Sequence, residues 1–176
     1  MARSYSASRA LRLTSLLGEE EMQLATDTYE KHVAEVQAAM KEFGLAAMVI
    51  EPGAAMQHII GVRWGRSERS FLLVIPAKGA PAMVVPGFEE ARAKELTPKG
   101  MDIRVWQEDE SPSEVVAKIF KDRGVNEGKV GMEESIRFFI FQNLRKAAPK
   151  FDYVSAQPAL KSAKVNLIAP VRQRGQ

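Results

Sequence analysis

The stretch Gly61-Val62-Arg63-Trp64-Gly65-Arg66-Ser67-Glu68-Arg69 holds the residues of this chain best suited to recognition chemistry. It sets three arginines and a tryptophan between glycines and the apolar run Phe71-Leu72-Leu73-Val74-Ile75. Guanidinium groups present forked donors that match a carboxylate, and an indole offers a flat apolar wall. A loop so equipped can grip an anion or a peptide end. Arg63, Trp64, Arg66 and Arg69 are the recognition candidates, and His58, just upstream, is a fifth. The competing reading makes Arg66, Glu68 and Arg69 surface ion pairs and Trp64 a plug for a sheet edge.

Groups able to transform a bound molecule are scarce. With no cysteine there is no thiolate nucleophile, disulfide or thiolate metal site. A hydrolytic triad needs a base beside its nucleophile, and the histidines are His32 and His58 alone. His32 falls on the polar side of a helix and is expected to face solvent. His58 reads as a half-buried structural residue or as one facing a ligand. Acids cluster at Glu19-Glu20-Glu21, Glu89-Glu90, Glu108-Asp109-Glu110 and Glu133-Glu134. Adjacent acids on a helix point apart, so most of these are exposed charge. Glu133-Glu134 closes a strand, where α/β sites often lie. A metal enzyme built on Glu133, Glu134 and His58 is the least supported reading. The glycines around Arg63 lack the Gly-Lys-Ser/Thr ending of a phosphate loop and lead into a strand, which argues against nucleotide binding.

The elements that must position these groups read as one α/β domain of 176 residues. Apolar residues at 45% suffice for a substantial core, and no apolar run approaches the ~20 residues of a membrane helix. The net charge of +3 is spread among 22 acids and 25 bases, which argues against a nucleic-acid face. A helix is expected from Thr28 to Phe43, capped by Asp27 or Thr28 and ended by Gly44. Leu45 to Ile50 reads as a buried strand, and Ala54 to Ile60 as helix or strand. Ser70 to Pro76 and Ala82 to Val85 form a hairpin, and Phe88 to Leu96 a helix. Asp102 to Trp106 is a strand. Ser111-Pro112-Ser113-Glu114 predicts a capping box for a helix that Gly124 ends. A strand from Lys129 to Met132, a helix through Ile136 and Leu144, and a strand Tyr153 to Ser155 follow. The expected fold is a single domain with a mixed sheet of five to six strands flanked by helices. Residues 1–27 read as an N-terminal arm able to flex, 28–160 as the domain, and 161–176 as an irregular tail or truncated linker. The head, rich in Arg and Ser, allows an organelle-targeting segment as the alternative to a cytoplasmic chain.

From Tyr29 to Ala159 the chain resembles the N-terminal domain of creatinase/prolidase-type metallopeptidases, the Xaa-Pro aminopeptidases and dipeptidases. The helix through Val36 to Met40 leads into Phe43-Gly44-Leu45-Ala46-Ala47-Met48-Val49-Ile50, as such domains open. Gly61 to Arg69, Val74-Ile75-Pro76-Ala77-Lys78-Gly79, Val84-Val85-Pro86-Gly87-Phe88-Glu89 and Val105-Trp106-Gln107-Glu108 follow in the family's order. Where the family carries paired aromatics before the glycine, this chain has His58, Ile59 and Ile60.

The resemblance implies a non-catalytic domain that supports dimerisation and substrate recognition. The peptidase centre, with two manganese, cobalt or zinc ions, would belong to a second domain that this chain lacks. No cofactor is then expected here, and no catalytic or metal-ligating residue. The expected partners are a second copy or a full-length relative, and a Pro-containing peptide as substrate of the parent enzyme, with no nucleic acid and no membrane. Arg63, Trp64, Arg66, Arg69 and His58 are the implied substrate contacts. The alternative is a standalone module of the same fold that binds a peptide or carboxylate or mediates dimerisation.

Overall fold

The computed structural model describes residues 4–168, with side chains from Leu17 onward. The sequence-expected tail from Ala169 to Gln176 lies outside the described residues. Six strands form one mixed sheet in the order β4-β3-β2-β1-β5-β6. They are β1 (Leu45–Ile50), β2 (Leu72–Pro76), β3 (Ala82–Pro86), β4 (Asp102–Trp106), β5 (Lys129–Met132) and β6 (Asp152–Ser155). β1 pairs antiparallel with β2, and β2 with β3, while β3–β4, β1–β5 and β5–β6 are parallel.

The central strands are apolar at every position because both faces are covered. In β1, Met48 and Ile50 face one core and Ala47 and Val49 the other. In β2, Leu73 and Ile75 alternate likewise with Leu72 and Val74. The first core is closed by α1 (Ser4–Glu42), α2 (Ala54–Ile60), α3 (Glu90–Leu96) and α6 (Gln157–Ser162). The second is closed by α4 (Pro112–Asp122) and α5 (Phe138–Ala147). Gln37 of α1 pins the β2–β3 turn, its Nε2 donating to the Pro76 and Gly79 carbonyls at 2.9 and 2.8 Å.

Several expectations are corrected. The first helix starts at Ser4, not at Asp27 or Thr28. Thr28 Oγ1 donates back to Leu24 O at 2.8 Å, and Asp27 accepts from Gln23 one turn earlier, so both residues are satisfied inside the helix. Pro112 opens α4 as expected, but Ser111 makes no side-chain cap bond. Phe88 lies in a 3₁₀ turn (Gly87–Glu89) ahead of α3. Ala54–Ile60 resolves as helix, and α6 appears where no element was expected. Ser70 precedes β2, and its carbonyl accepts from the Trp106 indole at 3.0 Å.

At the sheet's two edges the chain is handled differently. On β4, Asp102 pairs with Arg104 and Arg123 at 3.0 and 2.7 Å, and Arg104 reaches on to Asp122. At the other edge β6 has only four residues and is followed at once by α6 with Pro158 in its first turn.

Gly131 marks the closest approach in the core. A Cβ there would sit 2.8 Å from Leu45 Cδ1 and 3.2 Å from Ala156 Cβ. The leucine tip can swing, but the Ala156 backbone at the head of α6 cannot. We expect Gly131→Ala to destabilise the domain by about 1–3 kcal/mol through overpacking. Chemical denaturation reads this, and an unchanged midpoint would mean that α6 is free to shift.

Candidate functional site

Two parallel neighbours, β1 and β5, are each followed by a glutamate at the same end of their strands. Glu51 follows β1 and its side chain is 0% exposed. Glu133 follows β5 and is also buried. Its backbone N–H donates to Val49 O at 3.1 Å, which fixes the two strand ends together. A buried carboxylate needs partners, because desolvation otherwise drives it to neutralise. Arg137, at the start of α5, supplies them to Glu51. Its backbone N–H donates to Oε2 at 3.1 Å, its Nε to Oε1 at 2.7 Å, and its Nη2 lies 2.6 Å from Oε1. The Ser135 backbone N–H donates to Glu133 Oε1 at 3.0 Å, and its hydroxyl donates to the other oxygen.

Arg66 bridges the two carboxylates. Its Nε donates to Pro52 O at 2.8 Å and its Nη1 to Ser135 O at 2.9 Å, while Nη2 donates to the Ser135 hydroxyl. Glu51 and Glu133 lie 3.9 and 4.0 Å from the same guanidinium. Arg66 thus docks the loop between α2 and β2 onto the strand ends.

Trp64 lies nearly parallel to Phe71, with ring centroids 4.2 Å apart, and the Arg92 guanidinium sits 4.5 Å from the indole centroid. The indole is half-buried between an apolar ring and a cation. Arg69 donates to Glu108, lies 3.3 Å from Glu68 and covers the Phe88 ring at 4.9 Å. The bond to Glu108 raises its already high pKa further.

Arg63 stands apart. It is exposed, and among the described residues no carboxylate pairs with it. Its neighbour is the neutral side-chain amide of Gln57, whose oxygen accepts from Nε and Nη2 at 2.8 and 3.1 Å once oriented toward the donors. That orientation is required, since arginine has no acceptor.

His58, on α2, stacks on His32 of α1 with centroids 4.6 Å apart. His32 is therefore half-buried rather than solvent-facing, which corrects the sequence expectation. The Asn166 backbone N–H donates to His58 Nδ1 at 3.3 Å. Burial, then the neighbouring His32, lower the His58 pKa, with Glu35 opposing them. Glu42 and Lys164 border the same hollow. Among the described residues no three His, Asp or Glu side chains converge as a metal ion would need, so Glu133, Glu134 and His58 are not gathered into one site. Glu134 instead accepts from Ser155 Oγ at 2.6 Å.

The sequence reading missed Glu51, Ser135 and Arg137. A carboxylate placed immediately after a wholly apolar strand was the available signal for Glu51. Nothing local marks Arg137, whose partner is 86 residues away.

Two measurements follow from this geometry. Arg137→Ala removes both guanidinium contacts to the buried Glu51 and leaves it the backbone N–H of position 137 and the more distant Arg66, so a loss on the order of 3 kcal/mol is expected in denaturation. Arg69→Ala, which breaks exposed pairs only, should leave the midpoint unchanged. Equal losses for the two would refute the distinction. For His58, the folded state resists protonation more than the unfolded chain. Its contribution is whole above the ordinary value of 6.5 and is lost as pH falls through that value toward the lowered one. Stability from neutral pH down to about pH 5.5 should fall less in His58→Gln than in the natural chain, and parallel curves would contradict this.

The family model described as Creatinase/Prolidase N-terminal domain matches residues 32–164. A probable dipeptidase PepE of Mycobacterium bovis is 36% identical over 95 residues, covering 53% of this chain and 25% of that protein. An uncharacterized peptidase of Schizosaccharomyces pombe is 32% identical over 142 residues, covering 73% of this chain and 30% of its own length. The chain therefore spans between a quarter and a third of these relatives. The crystal structure of dipeptidase PepE from Mycobacterium ulcerans superposes with a TM-score of 0.67 at 30% identity, over 77% of this chain and 36% of that one. The N-terminal domain of an X-Pro dipeptidase from Streptococcus pyogenes shares the fold, with a TM-score of 0.59 at 16% identity over 70% of this chain and 99% of its own. The chain belongs to the creatinase/prolidase N-terminal domain family.

Proposed function

We propose that this domain serves substrate recognition and dimerisation for an Xaa-Pro metallopeptidase, and that it holds no catalytic residue of its own. The hydrolytic step falls to a metal-dependent peptidase domain with two manganese, cobalt or zinc ions acting on a bridging water. The observation that carries the recognition role is the unequal fate of the arginines in one loop. Arg66 is neutralised by Glu51 and Glu133, and Arg69 by Glu68 and Glu108. Arg63 keeps an exposed charge against a neutral amide. A peptide carboxylate is the natural complement to the guanidinium edge that Gln57 leaves open, and Trp64, held between Phe71 and Arg92, fixes the loop beside it. Arg66 and Arg69 act by holding the loop in shape, while His58 is stacked on His32 of α1.

The test uses an enzyme in which this domain is joined to its peptidase domain. Arg63→Ala should raise KM for Xaa-Pro peptides about tenfold or more, the scale of one charge-assisted hydrogen bond, and leave kcat unchanged. Unchanged KM would remove Arg63 from the reading. The isolated chain supplied with manganese should leave an Xaa-Pro dipeptide intact. Hydrolysis by the isolated chain would overturn the non-catalytic assignment.

A further inference from the structure

The chain leaves α6 through a turn that is costly to make. Lys164 has φ 55°, and among the described residues it is the one non-glycine in left-handed backbone. A side chain there crowds its own carbonyl. The N–H groups of Lys164 and Val165 donate to Lys161 O and Leu160 O, both at 3.0 Å, and hold the turn. It delivers Val165 into the first core and sets Leu167 against the margin of that core. Separately, Ser162 Oγ donates to Glu42 at 3.0 Å and ties α6 to α1.

Beyond Val165 the chain is held in another way. Asn166 is exposed and Ile168 is 78% exposed. The Ile168 N–H turns back onto Asn166 Oδ1 at 3.0 Å, within the segment itself. Among the described residues, the hydrogen bond that joins this segment to the helices is Asn166 N–H to His58 Nδ1, at 3.3 Å.

That bond needs a lone pair. Nδ1 has one only while the imidazole is neutral and carries its proton on Nε2. A second proton turns the acceptor into a donor and sets two N–H groups against each other. The stacked His32 ring, 4.6 Å away, adds like charge once it too is protonated.

Charges face the pair from each element around it. On one side Glu35 and Glu42 of α1 and Lys164 of the turn line a hollow. On the other, Glu21 and Tyr29 of α1 and Lys94, Glu95 and Lys99 border a groove that reaches Leu96. Burial and His32 disfavour the His58 cation, and Glu35 opposes them without prevailing, so the neutral acceptor is the form held at neutral pH.

We propose that His58 is a pH-sensitive latch: its protonation releases Asn166–Ile168 from α2 in mild acid, while Val165 and α6 stay seated. The hinge falls at Asn166, where anchorage by apolar burial gives way to anchorage by one titratable acceptor.

The test follows ¹⁵N relaxation and imidazole ¹⁵N shifts of the full chain in one titration. At neutral pH the Asn166 and Leu167 amides should have order parameters near ~0.85, and these should fall below ~0.6 as His58 gains its second proton, with Val165 still rigid. His58→Gln keeps an acceptor that does not titrate and should hold the segment rigid throughout. His58→Ala should free it already at neutral pH. His32→Ala removes the like charge and should move the release to higher pH. A neutral His58 with its proton on Nδ1 would overturn the latch at its first step. Amides that stay rigid through the titration of His58, or release that is equal in His58→Gln, would overturn it as well. So would loss of Val165 together with Asn166, or a His58 that stays neutral until the whole domain unfolds.

Discussion

A single buried carboxylate sets the terms for one end of this molecule. Glu51 has no exposed side-chain surface, and it sits where the central strand β1 stops. Its charge can persist there only if cations and N–H groups come to it. Arg137 comes from the start of α5 and Arg66 from the loop before β2. These segments are far apart in sequence, so satisfying one acid joins three otherwise independent pieces of chain. The pairing of Glu133 with Ser135 extends the same arrangement to β5.

This constraint divides the labour among the loop's arginines. Arg66 is committed inward, and in doing so it fixes the path of the backbone on either side. Arg69 is committed along the surface to Glu108, beyond β4. Between the end of α2 and Arg66, the loop then sets Trp64 against Phe71 and leaves Arg63 outward. A charge kept free of carboxylates is informative only because its neighbours in the same loop are so fully paired.

Much of the fold was legible in the sequence, for a physical reason. Strands β1, β2 and β3 are covered on both faces, so they are continuous apolar runs ended by Gly and Pro, and their bounds come within two residues of expectation. The helices were harder. Thr28 and Asp27 have the side chains of capping residues, but inside a continuous helix those groups bond back one turn. The six residues of α6 are too few to show a period, and they are held by Ala159 and Leu160 in the core. The site was half legible. Clustered arginines mark a loop by composition and a carboxylate directly after an apolar strand marks Glu51, whereas nothing local marks Arg137, whose partner lies 86 residues away.

The strand order has a consequence for how the molecule behaves in a crowded solution. A sheet of six strands that does not close has two free borders, each able to template a further strand from another chain. The border at β4 carries charged side chains locked to one another across Asp102, Arg104, Asp122 and Arg123. The border at β6 offers only four residues before a proline-bearing turn takes the chain away. Neither invites strand addition. Fibrillar growth by edge-to-edge stacking is thus disfavoured while the sheet stays folded.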